Sequence, residues 1–306
     1  MNPMYKIEPI PLSQMNRILN PVVSLAALAF YFLGMSISAY LGGSISWIRA
    51  FIGFVMLVSF LSGSALLDAF FWLVSQSPGA VAFTDDRWGL DPTLPKGSVI
   101  LLVIVCFGVG IGMVVLLLAG GGLTMTDWLV ISVLAIMLMV TPVPPIQLAQ
   151  RGVGELTIVF ILAAITPALG QSLQSGAIHA ITAVLTFPLF LLALSAVLAS
   201  GLERYAADVH FNRKTILTRL GWQTGMAIHS VSIFLAFIIL LSSGWMGVPA
   251  RLGLFACLAL PVGLFQVWLV YKLGQGAPPF WKLIRFISLA TPALTVYLLI
   301  FNLWLG

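Results

Sequence analysis

The sequence predicts an all-α polytopic membrane protein, a single helical domain over residues 1–306 with nine transmembrane helices in one bundle. Three observations predict it. The chain is 60% hydrophobic and only 8% charged, where a soluble domain carries about a quarter charged residues. Its mean hydropathy is +1.10. Nine apolar stretches approach the ~20 residues that a helix rising 1.5 Å per residue needs to cross a hydrocarbon core of about 30 Å.

Residues 1–20 (MNPMYKIEPIPLSQMNRILN) are polar and lack the short apolar core of a cleavable signal, so they read as a short cytosolic arm. The spans follow at about 21–41, 47–74, 97–119, 127–141, 154–171, 177–200, 222–243, 250–272 and 281–305. The fourth is short and is ended by Pro142, Pro144 and Pro145. Pro167, Pro188, Pro261 and Pro292 fall inside later spans, where a bundle tolerates kinks because neighbours satisfy the released backbone groups. Cys106 and Cys257 lie in apolar segments and read as packing residues. His179, His210 and His229 show no metal-ligand spacing.

Charge placement sets the expected topology. With a cytosolic N-terminus, only Arg49 and Arg251 of the 14 Lys and Arg residues fall on the far side, which is the positive-inside pattern. The expectation is a multi-pass protein of the cell inner (cytoplasmic) membrane with its C-terminus opposite its N-terminus. The net charge of +5 follows from this distribution and implies no nucleic-acid partner. The acids share the basic side, Asp127 excepted. That concentration points to a site at the cytosolic face. A transporter would spread ionisable groups through the midplane.

Two cytosolic loops, 75–96 and 201–221, are expected to form that site. The stretch ERYAADVHFNRKTILTRLG, residues 203–221, carries Glu203, Asp208, Arg204, Arg213, Lys214 and Arg219. Acids beside bases at the mouth of a bundle suit a diphosphate held through a divalent cation, with the bases on phosphate oxygens. The plainer reading is a positive-inside connector in which Arg204 pairs with Asp208. In the first loop, Asp85, Asp86, Arg87, Trp88 and Asp91 suit either a lid or, more simply, a solvated connector. Asp68 lies in the apolar run GSALLDAFFWLV. A carboxylate there costs up to roughly 2.5–3.5 kcal/mol on insertion scales and so needs a partner or a route to water. In TPVPPIQLAQRGVGELT, residues 141–157, Gly152 and Gly154 allow tight turning, and Glu155 is favoured by the helix dipole, which is reason enough for its presence.

Three of these segments together resemble the UbiA-type intramembrane prenyltransferase superfamily. Asp208, Asn212-Arg213-Lys214-Thr215-Ile216 and Arg219-Leu220-Gly221 resemble its pattern of Asp, then Gly-Lys-Arg-Thr-Leu, then Arg-Leu-Gly. PPIQLAQRGVGE, residues 144–155, resembles its Pro-Pro, Arg-Gly-x-Gly-Glu segment, and Asp68 falls where its first Asp-rich motif is expected. The resemblance implies a nine-helix UbiA-like bundle. It implies transfer of an isoprenyl group from its diphosphate to a lipophilic acceptor, often aromatic or quinone-type, inside the bilayer. It also implies magnesium on Asp68 and Asp208 with help from Glu203, and Arg151, Arg204, Arg213 and Lys214 binding the diphosphate. Asp68 and Asp208 are then the catalytic pair.

The chain departs from the family pattern. Of Asn-Asp-x-x-Asp-x-x-x-Asp only Asp68 is present; Ser64 and Trp72, or Leu67 and Phe71, stand at other motif positions according to register. In the second motif Arg204 replaces the Asp four residues before Asp208. The alternative is therefore a catalytically inactive UbiA-like bundle that binds isoprenoid lipid or assembles with other membrane proteins.

Overall fold

The computed structural model describes residues 8–75, 90–91, 93–210 and 212–305. Lys6 and the Asp85–Trp88 cluster lie outside the described residues. Among the described residues there is no strand. The elements in order are α1 (Leu12–Leu19), α2 (Pro21–Tyr40), α3 (Trp47–Ser75), α4 (Lys96–Ala119) and α5 (Met125–Val140). Then come α6 (Gly154–Ser175), α7 (Ala180–Leu202), the short α8 (Tyr205–His210) and α9 (Ile216–Leu220), α10 (Trp222–Met246), α11 (Ala250–Gly274) and α12 (Trp281–Leu305).

Eight of these helices are long and apolar enough to cross a membrane, and α5, with 16 residues, is shorter. It still connects the two ends of the bundle. At its start, Thr124 and Asp127 form a reciprocal capping box, and the Thr124 hydroxyl donates to the Gly176 carbonyl at the far end of α6. Just past its other end, Thr141 lines the same cavity as Asn20 and Asp68. Sixteen residues cover ~24 Å, and the capping loops make up the remainder. The bundle is thus a multi-pass membrane fold, with eight helices of spanning length and α5 as a shorter apolar ninth among the described residues. The end carrying residues 203–221 is called the loop end below.

Small residues bring the helices together, as expected where lipid supplies no hydrophobic drive between them. A Cβ on Gly34 of α2 would overlap the Pro167 carbonyl of α6, and one on Gly170 would overlap the Tyr31 carbonyl. A Cβ on Gly253 of α11 would overlap the Leu240 carbonyl of α10. At the end opposite the loops, the Arg49 guanidinium donates to the Gly122 carbonyl at 2.7 Å, and Arg251 stacks over Tyr40, 5.7 Å from the ring centre.

The prolines act locally. Ahead of Pro167, α6 widens into a π turn at Ile161–Ile165, and the Thr166 hydroxyl donates to the Ile161 carbonyl. Ahead of Pro261, α11 tightens into a 3-10 turn at Cys257–Ala259. α7 and α12 run through Pro188 and Pro292. Cys106 and Cys257 are both half-buried thiols.

Candidate functional site

A cavity of about 250 Å³ opens at the loop end between α1, α2, α3, α5 and α6. Asp68, Glu155 and Arg213 reach it from three separate parts of the chain, with Asn20, Ser64 and Thr141 beside them. Its inner wall is mostly apolar, with Val23, Leu61, Leu138, Ile158 and Ile161 beside the hydroxyls of Ser24 and Ser62.

Local backbone chemistry delivers each side chain. Asp68 stands on the last third of α3, which Ser64 ties to α5 by donating its hydroxyl to the Leu138 carbonyl at 2.7 Å. Glu155 stands on the first turn of α6. Gly152, at φ +73°, turns the preceding segment into place; a Cβ there would press on the Thr215 carbonyl at 3.0 Å. A Cβ on Gly154 would meet the Ala149 Cα at 2.6 Å. The Glu155 carboxylate then accepts from the Ile216 amide at 3.0 Å. Ile216 is the first residue of α9, where amides have no partner within the helix. The 144–155 segment and the 203–221 loop are therefore locked together by one carboxylate-to-amide bond.

The loop itself is pinned by Leu217, which is 3% exposed. It seats in the gap left by Gly201 of α7 and Gly225 of α10, where a Cβ on either would collide with its methyl groups. Thr215 and Thr218 form a capping box on α9, and the Thr218 hydroxyl also donates to the Arg213 carbonyl. Arg213 is thereby held at the loop's inner edge. Its guanidinium lies 3.4 Å from the Asp208 carboxylate, and the Arg213 amide donates to the Asp208 carbonyl at 2.7 Å.

The structure brings some predicted residues together and leaves others apart. Asp68 and Arg213 share the cavity. Asp208 is buried directly behind Arg213, off the cavity wall. Arg151 and Lys214 are exposed and off the wall, as is Arg204; Arg151 donates to the Pro145 carbonyl at 2.8 Å. Glu203 is not brought to Asp68: it caps the end of α7, and its carboxylate is bound by Arg285 on the first turns of α12. Asp91 is committed locally, with the Thr93 hydroxyl and amide donating to it at 2.6 and 2.8 Å and holding its carboxyl below the usual range. The sequence reads Glu155 as a dipole-favoured residue at the end of the family-like 144–155 segment and gives it no site role; its place in the cavity depends on packing against a segment 61 residues away.

Among the described residues no group of three or more His, Cys, Asp or Glu could hold a metal ion. Magnesium commonly takes one or two protein carboxylates and completes its shell with water and substrate phosphate oxygens. Asp68 beside Arg213 and Glu155 fits one such ion shared with a diphosphate. The set does not fit a pair of ions held by protein carboxylates alone.

No family model matches the chain, and no curated protein matches it in sequence. Solved structures do. A UbiA homolog from Archaeoglobus fulgidus bound to Cd2+ superposes with a TM-score of 0.64 at 14% identity, over 94% of this chain and 99% of that one. A structure of a UbiA homolog from Archaeoglobus fulgidus bound to GPP and Mg2+ gives 0.63 at 12%, with the same coverage. A digeranylgeranylglyceryl phosphate synthase gives 0.60 at 10%, over 93% and 98%. The chain has the UbiA-type fold. At these identities the likeness defines the architecture, and agrees with the resemblance read from residues 144–155 and 203–221.

Proposed function

We propose that the chain is a divergent UbiA-family prenyltransferase that takes an isoprenyl group from its diphosphate to a lipophilic acceptor within the membrane. The observation that carries this reading is the convergence of Asp68, Glu155 and Arg213 on one cavity whose inner wall is mostly apolar. A diphosphate headgroup needs cationic and metal-binding partners, and an isoprenyl tail needs a dry apolar wall. The cavity offers the two in sequence from mouth to floor.

In this reading Arg213 binds the diphosphate and stabilises the charge that gathers on it as the allylic C–O bond breaks and the electron pair leaves with the diphosphate. Asp208 holds the guanidinium in place, and Glu155 fixes the turn that presents it. Asp68 would carry a magnesium ion, which supplies further neutralisation of the leaving group when bound. The apolar wall keeps water from the allylic carbon until the acceptor attacks it and gives up a proton. The residues bordering the cavity belong to the basic side of the chain, so the site opens to the cytosol, with the N-terminus there and the C-terminus across the inner membrane. Tags at residue 1 and within 203–221 then report one side, and a tag at 306 reports the other.

One observation favours a second reading. Asp208 is tied to Arg213 and Glu203 to Arg285, so the described residues hold fewer available carboxylates than the family pattern requires. A bundle that binds isoprenoid lipid without turning it over fits that deficit. Release of diphosphate from isoprenyl diphosphates, measured with and without magnesium, separates the two. Magnesium-dependent release supports the transferase. Tail binding with no diphosphate affinity supports the inactive bundle.

A further inference from the structure

We infer that the cavity is built for a tail of two isoprene units, and that Leu61, Leu138 and Ile161 are the floor that sets this length. This rests on the isoprenyl diphosphate reading above.

Two helices give the same depth independently. On α3 the cavity wall runs from Asp68 to Leu61, seven residues, or ~10 Å along the axis. On α6 it runs from Glu155 to Ile161, six residues, or ~9 Å. An extended isoprenoid chain advances ~5 Å per unit, four C–C bonds of about 1.5 Å laid in a zigzag. Two units therefore reach from the ionisable mouth to the floor.

The floor residues are packed into the bundle. Leu61, Leu138 and Ile161 are 8%, 2% and 1% exposed and belong to the main core of the bundle. One turn deeper, Leu57 on α3 and Leu134 on α5 are fully buried. On α6 the floor coincides with the start of the π turn at Ile161–Ile165, where the helix widens. The volume agrees with the depth: about 250 Å³ lies just under the ~300–1,000 Å³ of ordinary small-molecule sites. A tail of four units would have to displace packed core or lift its diphosphate away from Arg213.

The test is equilibrium binding of C5, C10 and C20 allylic diphosphates to the purified full-length protein, with magnesium. The C10 ligand should bind tightest, and C20 about tenfold or more weaker, since forcing extra carbons into a packed core is costly. Leu61→Ala opens the floor and should bring C20 to within about threefold of C10. Ala65→Leu adds an apolar group halfway along the wall, and should weaken C10 about tenfold while leaving C5 in place. This second variant guards against Leu61→Ala failing to fold. Equal binding of C10 and C20 by the unaltered protein, or a cut-off that neither variant moves, overturns the floor and leaves the diphosphate reading standing. No binding of any of the three ligands removes both.

Discussion

Asp68, Glu155 and Arg213 stand around a cavity at the loop end of α2, α3, α5 and α6, whereas His229, Gln266 and Thr291 stand in the interior of α10, α11 and α12. Both regions bury polar atoms in an apolar bundle. In the second, the Gln266 amide lies 2.9 Å from the His229 ring, and the Thr291 hydroxyl donates to Gln266 at 2.8 Å. All three side chains are fully buried. They join the helices to one another through Gln266, and only the His229 Nδ1 is left without a hydrogen-bond partner among the three. In the first region the groups are carboxylates and a guanidinium, which cost far more to bury, and they face a space large enough for a ligand. On the proposed function, the α10–α12 half serves cohesion and the α2–α6 half with its 203–221 loop carries the site.

That division is open to direct attack by substitution. The largest effects belong to Arg213→Glu and Asp208→Ala. Charge reversal at Arg213 should weaken isoprenyl diphosphate binding about hundredfold or more and spare the unphosphorylated isoprenol. Asp208→Ala removes the group that holds the Arg213 guanidinium and should weaken diphosphate binding about tenfold to hundredfold, the worth of a hydrogen bond to a charged group, while the protein still inserts and folds. Loss of isoprenol binding along with diphosphate in either variant would point to general damage. In the other half, Gln266→Leu breaks the His229–Thr291 link and should cost about 1–2 kcal/mol of stability. Thermal unfolding in detergent reads this, and diphosphate affinity should not change.

Glu155 sharpens the comparison because it belongs to both categories. Glu155→Gln keeps an acceptor for the Ile216 amide, and should hold diphosphate affinity within about threefold if anchoring is its main role. Glu155→Ala removes the anchor and should lower affinity about tenfold, the worth of one hydrogen bond to a charged group. Equal losses in both variants would show that the charge matters and the anchor does not. Smallest of all is Glu203→Ala. Its bond to Arg285 joins partly exposed side chains, 31% and 52%, so its loss should cost about 0–1 kcal/mol. Affinity should be unmoved, since Glu203 is off the cavity.

The passes were legible in the sequence because length and hydropathy fix them. The spans expected at 47–74, 97–119 and 281–305 match α3, α4 and α12 almost to the residue. The short fourth span was legible too, although its reach depends on the Thr124 and Thr141 ends, which only packing shows. The site was legible in part. Asp68 stands out as a charge within an apolar run and Arg213 as part of a basic cluster, and both line the cavity. Arg151 stood out equally, yet the turn at Gly152 separates it from Glu155, and it bonds to Pro145 instead. Glu203 and Arg285 are 82 residues apart, and nothing in either local sequence announces their pairing. Which charges meet is a long-range property of helix packing; local spacing reports only which charges exist.

The central claim is that the cavity bearing Asp68, Glu155 and Arg213 is a diphosphate site. Binding of geranyl diphosphate and of geraniol to the purified protein, each with and without magnesium, tests it most directly. The account predicts that the diphosphate binds at least about tenfold more tightly than the alcohol, that magnesium widens this gap, and that Arg213→Glu closes it. Equal affinity for the two ligands, unmoved by magnesium, would contradict it.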